Sequence, residues 1–393
     1  MASNSACIER IKANALRDEI DLSALPFLED ALADISALAT NRTNSQLPTF
    51  GNATRIDTHT HPVPSWFRTL QPLSAGRETP SWDPISHLQF MDQHSIARSI
   101  LCVSTPQANA FHDDKAKTVA LARLLNEFSA ELVRVYPDRF SWMAVTPLPY
   151  VQDAVSEVRY ALEELGAVGV GVLTNHEGLY PGEERFDSLW EYLQKRAEKG
   201  DGREIVFIHP HDPVIRLEDG RLVSSKPCKS YVTQMLSHSM VLILLAPLRS
   251  GLGEFYFETA RAISSVTAHR TIIKFPNLHW RVSHGAGAFP DISDRFLLGF
   301  PKDAEEARKI YATRFWYDSA GPVYPRQIKG LLAHDVPISQ MVFGTDYPYG
   351  IGFWDVNANI SGLAEAEFLS IKQRNDVFFE NTKGLWKGKI NFA

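Results

Sequence analysis

Arg-Ile-Asp-Thr-His-Thr-His-Pro-Val-Pro, at residues 55–64, places two imidazoles two positions apart on a short apolar strand. Side chains two residues apart on a strand point to the same face, so His59 and His61 converge at the end of this strand. Two convergent neutral imidazoles form half of a divalent-metal site. The pattern alone is weak, because a chain with 13 histidines contains such a pair by chance almost as often as not. The alternative is a solvated or hydrogen-bonded pair, and the rest of the chain decides between the two interpretations.

Length and composition are those of a large globular chain. The 393 residues, 44% of them hydrophobic, fit one elaborated eight-stranded barrel or two ordinary domains. A net charge of −6 with scattered Lys and Arg predicts no nucleic-acid partner. Three cysteines without the spacing of a metal site indicate a reducing compartment. Because neither a leader pattern nor a long apolar run is present, we expect a cytoplasmic protein without a membrane contact.

Short β-rich runs alternate with helical stretches from residue 55 onward. The eight predicted strands cover residues 55–59, 98–103, 140–145, 167–173, 204–209, 279–284, 315–319 and 341–346. The clearest predicted helices cover residues 116–136, 151–165, 185–199, 254–268, 304–312 and 325–334. Eight alternating units, without a Gly-x-Gly-x-x-Gly turn after the first strand, predict an α/β fold of the (β/α)₈ type.

The chain divides into two predicted regions. Residues 1–47 form an N-terminal helical extension that ends in a polar linker, and residues 48–393 form the barrel with C-terminal helices. The extension is expected to pack on the barrel or on a second subunit, and the simplest interpretation gives it no chemistry.

Polar side chains stand where several of the predicted strands end. They are His59 and His61 after the first strand, His209 after the fifth, His284 after the sixth and Asp346 after the eighth. The active site of a (β/α)₈ barrel lies at these carboxyl ends, so all five side chains are expected to meet. Imidazoles and a carboxylate make a mixed set of donors suited to Zn²⁺ or Mn²⁺. Taken singly, each histidine has an ordinary structural explanation, and the aspartate has one as a turn residue.

Four segments resemble the amidohydrolase superfamily. They are Asp57-Thr-His-Thr-His-Pro, Phe207-Ile-His-Pro, Val282-Ser-His-Gly-Ala-Gly-Ala-Phe-Pro and Phe343-Gly-Thr-Asp-Tyr-Pro-Tyr. More narrowly they resemble its non-oxidative decarboxylase branch, which includes aminocarboxymuconate semialdehyde, γ-resorcylate and 6-methylsalicylate decarboxylases. The resemblance covers about residues 50–385 and leaves residues 1–47 unexplained.

The resemblance implies roles for the residues at the strand ends. His59, His61, His209 and Asp346 would bind one divalent metal ion, Zn²⁺ first and Mn²⁺ second, without an organic cofactor. His284 and Asp346 would be the catalytic pair, one of which delivers a proton. The fourth strand ends Gly171-Val-Leu-Thr-Asn, without the lysine or glutamate that bridges two metals in dinuclear members. This departure favours a single metal.

Four further residues are expected to contact the substrate. Arg295 follows Asp294 in a region that resembles the carboxylate-binding segment of the relatives, and its guanidinium suits a carboxylate. Trp66 and Phe67 lie in the long loop after the first strand, where they either stack on an aromatic ring or pack in the core. His211 repeats the two-residue spacing after His209, and it either faces the substrate or is only a loop histidine.

The implied function is a metal-dependent, non-oxidative decarboxylase of a salicylate-like aromatic acid such as 6-methylsalicylate, releasing CO₂ and a phenol. The implied assembly is a homodimer, and the expected partner is a small aromatic acid. A lactone or amide hydrolase of the same superfamily, with or without a metal, is the alternative enzyme class. A barrel without enzymatic activity ranks last, because such a set of strand-end residues serves no folding need.

Overall fold

Eight parallel strands form the centre of the molecule in the computed structural model, which describes residues 2–40, 54–224, 226–227, 245–246 and 250–392. The strands are β1 (Arg55–Thr60), β2 (Ile96–Leu101), β3 (Phe140–Trp142, continued by Ala144–Val145), β4 (Val170–Leu173), β5 (Glu204–His209), β6 (Leu278–Val282), β7 (Phe315–Asp318) and β8 (Met341–Val342). Each predicted strand is present, and the helices between them agree with the predicted ones to within about two residues at most ends.

The strands are hydrogen-bonded in the order in which they occur along the chain. The first part of β3 pairs with β2, and its second part pairs with β4. The ladder then continues in parallel from β4 through β8. It closes because the amide of Thr58 donates to the carbonyl of Phe343 (2.9 Å) and the amide of Asp346 donates to that of His59 (2.7 Å). The prediction of a (β/α)₈ barrel is confirmed.

Helices surround the strands. They are α1 (Ala2–Arg17), α2 (Leu28–Thr40), α3 (Ser65–Leu70), α4 (Pro84–Gln93), α5 (Lys115–Val135), α6 (Val151–Glu163), α7 (Asp187–Lys199), α8 (Glu254–Ala268), α9 (Thr271–Lys274), α10 (Phe289–Leu297), α11 (Ala304–Tyr311), α12 (Arg326–Ala333), α13 (Val356–Ala364), α14 (Ile371–Asn375) and α15 (Asn381–Leu385). One π-helical turn, Asp376–Glu380, joins the last two. None of these described helices combines the length and the apolar character that crossing a membrane requires.

The helical extension packs on the barrel. Ile11 of α1 and Leu32 of α2 are fully buried in the same core as the barrel helices. Arg10 forms a 2.8 Å ion pair with Glu127 of α5. Because the extension covers its outer face, α5 is buried on nearly every side, with charged side chains such as Glu127 among its buried residues. The boundary at residue 47 lies outside the described residues, and the division into two regions stays a prediction.

The two long loops predicted from the sequence differ in how much of each is described. The loop after β1 contains α3 and a small hairpin that pairs Leu73–Ser74 with Arg77–Glu78. The loop after β5 begins with a hairpin that pairs Val214–Arg216 with Leu222–Ser224, and most of its remainder lies outside the described residues. Both loops start at the carboxyl ends of strands, where binding loops of this fold are found.

Side chains fill the barrel interior below those carboxyl ends. Ile56, Ile100 and Phe207 belong to an apolar cluster that Trp386 after α15 closes from the opposite end. The barrel interior is therefore a packed core, and the His/Asp cluster lies where the strands end.

Candidate metal centre and adjoining cavity

The carboxyl ends of β1 and β5 and the loop after β8 bring four polar side chains together. One donor atom from each of His59, His61, His209 and Asp346 lies within 4.8 Å of the others, and all four residues are buried. The imidazole centroids of His61 and His209 are 4.8 Å apart, and those of His59 and His61 are 4.9 Å apart. The side-chain period of two on β1 thus places both of its histidines at the same mouth.

Hydrogen bonds fix how the two β1 imidazoles are oriented. His61 Nδ1 donates to the carbonyl oxygen of Cys102 at 2.6 Å, so its Nε2 carries the lone pair. This Nε2 lies 2.9 Å from Asp346 Oδ1. His59 Nδ1 donates to Asp318 Oδ2 at 2.8 Å, which leaves its Nε2 lone pair buried, without a described hydrogen-bond partner, and 3.5 Å from the same Oδ1. Two acceptor nitrogens and a carboxylate oxygen therefore face one another, an arrangement that a cation between them stabilises.

Burial favours the neutral, metal-binding form of His59 and His209. Desolvation lowers the pKa of His59 well below its ordinary value, and it does the same for His209, where the neighbouring His61 adds to the effect. Burial opposes ionisation of Asp346, but the neighbouring histidines, His61 foremost, outweigh it and lower the pKa of the carboxyl. Neutral imidazoles with an ionised carboxylate are suited to one divalent metal ion.

Asp318, the last residue of β7, orients this cluster from below. Its Oδ2 accepts hydrogen bonds from His59 Nδ1 and from Arg281 Nη1, both at 2.8 Å. Its Oδ1 accepts from the backbone amides of His284 (2.8 Å) and Ala320 (3.2 Å). Burial raises the pKa of this carboxyl, and the Arg281 guanidinium opposes that shift. Four donors around one carboxylate stabilise its charge against burial and fix its position.

Our sequence interpretation did not assign a role to Asp318. Asp318 nevertheless stands at the end of the predicted strand 315–319, like the residues that were predicted to form the site. The same strand-end rule contained the signal that would have found it.

His284 lies beside the cluster and lines the cavity described below. Its imidazole centroid is 5.0 Å from that of His59, and its Nδ1 donates to the carbonyl of Ala320 at 2.9 Å. This hydrogen bond occupies Nδ1 and leaves Nε2 as the ring nitrogen without this contact. The ring of Tyr256 lies parallel to the imidazole at 5.8 Å, and Gln327 Nε2 donates to the His284 carbonyl at 2.6 Å. His284 is thus held on three sides with Nε2 available for proton transfer.

The segment Gly344-Thr-Asp explains how Asp346 reaches the mouth. A Cβ on Gly344 would lie 2.7 Å from the Cβ of His59, so only glycine allows the two strands to approach this closely here. Thr345 Oγ1 donates a hydrogen bond to Asp57 Oδ2. Burial raises the pKa of the Asp57 carboxyl to about 7. Asp346 itself has a left-handed backbone with φ of 59°, which aspartate tolerates better than most residues.

A cavity of about 790 Å³ adjoins the cluster. His209, His284 and Asp346 line it where it meets the cluster. Its other walls come mainly from α8, α10, α12 and the loop after β8, and they are rich in aromatic residues: Phe255, Tyr256, Phe257, Tyr349, Phe353 and Trp354. Arg77 and Arg326 are the cations among the described lining residues.

Three of the residues predicted to contact the substrate do not line this cavity. Trp66 and Phe67 do not line the cavity but are buried in the core, where the Trp66 ring stacks on Phe27 at 5.6 Å. Their apolar surface packs against the helical extension, which corrects the interpretation that they face a ring of the substrate. His211 is also buried outside the cavity lining, and its Nδ1 is hydrogen-bonded to Thr105 Oγ1 at 2.5 Å.

Arg295 lies on α10 with an exposed side chain and does not line the cavity of this chain. The preceding Asp294 forms a 2.8 Å ion pair with Arg308 at the surface. The predicted contact of Arg295 with a substrate carboxylate stays a prediction, and the cavity cations on this chain are Arg77 and Arg326.

The chain is similar in sequence to known proteins. The sequence model of the family described as Amidohydrolase matches residues 56–387. The chain is 28% identical over 310 residues to decarboxylase yanB of Aspergillus niger, which covers 75% of this chain and 77% of that relative. It is 25% identical over 308 residues to the 6-methylsalicylic acid decarboxylase of Penicillium expansum, with 75% and 85% covered.

A solved structure is similar over nearly the same range. It is 5-carboxyvanillate decarboxylase from Novosphingobium aromaticivorans, complexed with manganese and 4-hydroxy-3-methoxy-5-nitrobenzoic acid. The TM-score is 0.66 at 18% identity, and the match covers 86% of this chain and 97% of that chain. At this identity the likeness concerns the fold alone.

Proposed function

The chain belongs to the amidohydrolase family, and on that premise we propose that it is a metal-dependent, non-oxidative decarboxylase of an ortho-hydroxylated aromatic acid such as 6-methylsalicylate. The products are CO₂ and the corresponding phenol. The substrate class is supported by the similarity to relatives named as decarboxylases.

One observation carries the proposal. The Nε2 lone pairs of His59 and His61 face Asp346 Oδ1 at 3.5 and 2.9 Å, at the barrel mouth and beside His284. This cluster combines a place for a cation with a nearby imidazole that exchanges protons. Decarboxylation of a hydroxybenzoate requires both, because the anionic acid must be held while its ring carbon is protonated.

His59, His61, His209 and Asp346 would hold the metal. Imidazole donors favour Zn²⁺. Mn²⁺ is the second choice, because the 5-carboxyvanillate decarboxylase structure contains manganese. When bound, the metal supplies positive charge that orients the anionic substrate and stabilises negative charge during the reaction.

The proton chemistry is assigned to His284 and Asp346. One of them delivers a proton to the ring carbon that bears the carboxyl group. The bond between that carbon and the carboxyl carbon then breaks, its electron pair restores the aromatic ring, and CO₂ leaves. The hydrogen bond from His284 Nδ1 to the Ala320 carbonyl favours proton exchange at Nε2, the nitrogen available at the cavity.

Turnover of salicylates is the direct test. We expect the metal-loaded protein to release CO₂ from 6-methylsalicylate and to form 3-methylphenol in equal amount, and we expect chelation of the metal to remove this activity. Metal content by mass spectrometry, compared between proteins grown with Zn²⁺ and with Mn²⁺, identifies the ion. Opening of a lactone ring without CO₂ release from any salicylate would replace the decarboxylase by the hydrolase alternative.

We further propose a homodimer, supported by an apolar groove between α8 and α10. Ala260 of α8 and Phe296 of α10 line the groove, together with Phe257 and Ile292, which are 51% and 42% exposed. A surface of this kind favours association with a second apolar surface. The same residues also adjoin the candidate active site, because Phe257 lines both cavities.

Sedimentation velocity tests the dimer. We expect the unaltered chain to sediment with twice the mass of one chain and Ile292→Glu to sediment as a monomer, because a buried carboxylate opposes apolar association. Ile371→Glu on α14 is the matched control, since Ile371 is 70% exposed away from the groove. A dimer that persists in Ile292→Glu and dissociates in Ile371→Glu would move the interface to α14.

A cytoplasmic location is proposed on separate grounds. The described cysteines, Cys7 and Cys102, are free thiols buried in the protein interior. Such thiols are typical of reducing compartments.

A further inference from the structure

The cavity beside the metal cluster is larger than a substituted salicylate requires. Its volume of about 790 Å³ lies in the upper half of the range of roughly 300–1,000 Å³ that accommodates drug-sized ligands. 6-Methylsalicylate is a single ring with three small substituents. A substrate of that size would leave much of the cavity filled with water.

The cavity wall combines the polar residues of the metal cluster with many apolar residues. His209, His284 and Asp346 form the part at the metal cluster. Away from it the described lining includes Leu252, Phe257, Pro290, Pro322 and Phe353. An aromatic acid whose carboxyl and hydroxyl groups face the cluster must turn the rest of its ring toward this apolar wall. Each methylene group buried there favours binding by about fourfold.

Arg77 and Arg326, the described cations that line the cavity, do not indicate a substrate with a second acidic group. The Arg77 guanidinium lies 4.2 Å from the Phe353 ring centroid and donates to the carbonyl of Tyr349. Arg326 is exposed at the beginning of α12, where solvent screens it. The apolar part of the described lining favours a hydrocarbon substituent over a charged one, and Asp291, which also lines the cavity, opposes an anionic one.

Helix α12 contains the feature that most directly indicates an extended ligand. Gln327 contacts the carbonyl of His284, and Gly330, three residues later, also lines the cavity. A Cβ built on Gly330 meets no atom within 4 Å, so a larger residue would project into open space. Glycine inside a helix is unfavourable relative to alanine, and here its absent side chain enlarges the cavity.

We propose that the natural substrate is an ortho-hydroxybenzoate with an apolar substituent longer than methyl, which extends from the metal cluster along α12 past Gly330. This inference rests on the proposed decarboxylase function and specifies its substrate class. Gly330 is then a residue that determines specificity by leaving space.

A substrate series tests the inference. We expect kcat/KM for CO₂ release to rise from 6-methylsalicylate through 6-propyl- to 6-pentylsalicylate, by up to about fourfold per added methylene. The corresponding 3-alkylphenols, which are the reaction products, should bind with a Kd that falls along the same series. Their binding, measured by calorimetry on the metal-loaded protein, does not depend on turnover.

A pair of glycine variants locates the subsite. Gly330→Leu should reduce the ratio of kcat/KM between the pentyl and methyl substrates by about tenfold or more, because leucine fills the space of several methylenes. Gly384→Leu is the control, since Gly384 is an exposed helical glycine whose added Cβ also meets no atom. It should leave the ratio unchanged, and leucine favours the helix in both variants.

The outcomes separate the two proposals. Turnover of 6-methylsalicylate with equal or falling kcat/KM and unimproved phenol binding along the series overturns the extended substrate and leaves the decarboxylase. An unchanged ratio in Gly330→Leu overturns the assigned path along α12. No CO₂ from any salicylate, with phenol binding that still tightens along the series, refutes the decarboxylase and its substrate class while supporting the apolar subsite.

Discussion

Asp346→Asn is expected to lower CO₂ release from 6-methylsalicylate by at least about 10²–10⁴-fold, the usual contribution of a residue that transfers a proton in catalysis. The expected loss is large because the same carboxylate is also assigned to the metal. Its Oδ1 is the atom that His61 Nε2 approaches at 2.9 Å and His59 Nε2 at 3.5 Å. An amide has the shape of the carboxylate but neither its charge nor its ability to exchange a proton.

The fold should tolerate this change. The side-chain amide that Asp346→Asn introduces would donate to the lone pair on His61 Nε2, so a hydrogen bond joins the two side chains where the metal is absent. Circular dichroism and the melting temperature of the metal-free protein should therefore be close to those of the unaltered chain. Activity and metal content should fall together.

Asp294→Asn provides the matched control. Asp294 lies at the surface of α10 and pairs only with Arg308 among the described residues, so its replacement should leave CO₂ release unchanged. An Asp346→Asn variant with full activity and full metal content would refute the proposed centre. A variant that keeps its metal but loses activity would assign proton transfer to Asp346 and leave the histidines as sufficient ligands.

The sequence predicted the barrel because each strand is marked by local composition. Alternation of short apolar runs with helical stretches gave all eight strands, and the two-residue period placed His59 and His61 on one face before any long-range contact was known. The predicted ends of the last strands were less accurate. β8 is only Met341–Val342, because the chain leaves regular strand geometry before Asp346 and turns left-handed there. His284 likewise follows β6 in a left-handed turn with φ of 53°.

Residues whose role depends on distant contacts were not predictable in the same way. From sequence alone, Trp66 and Phe67 are equally suited to contact a substrate ring or to pack in the core. The stacking of Trp66 on Phe27 of the helical extension shows that they pack in the core. The cavity wall combines α8, α10 and α12, which are separated widely along the chain. Asp318 satisfied the strand-end rule, but its partners His59 and Arg281 cannot be paired from sequence alone.

Asp318 and Arg281 form a buried ion pair that supports the candidate metal centre. Both side chains are fully buried, and Arg281 Nη1 lies 2.8 Å from Asp318 Oδ2. Burial lowers the pKa of Arg281 to about 10, so the guanidinium stays charged at neutral pH. It lies over the Phe207 ring, with Nε and Nη2 unpaired among the described residues. Asp318 is therefore both the counter-charge of Arg281 and the acceptor that orients His59.

Asp318→Leu is expected to destabilise the protein by about 3–5 kcal/mol, because it leaves the Arg281 charge buried without its partner. The same variant should bind Mn²⁺ or Zn²⁺ about 10–100-fold more weakly, since an outer partner that orients a metal-binding histidine typically contributes that much. A single variant does not separate these effects, because a partly unfolded protein also binds metal weakly.

The double variant Asp318→Leu/Arg281→Met separates them, because it removes both buried charges together. We expect its free energy of unfolding, measured with urea on the metal-free protein, to recover most of the loss, since apolar residues of similar volume replace such pairs at little cost. Its metal Kd, measured by calorimetry, should stay weakened about 10–100-fold, because His59 Nδ1 still lacks its acceptor. Arg123→Met/Glu157→Leu, which removes a buried pair 2.9 Å apart between α5 and α6, should leave the metal Kd unchanged. If the Asp318→Leu/Arg281→Met protein bound metal with normal affinity, Asp318 would act only as the counter-charge of Arg281, and the orientation of His59 would not depend on it.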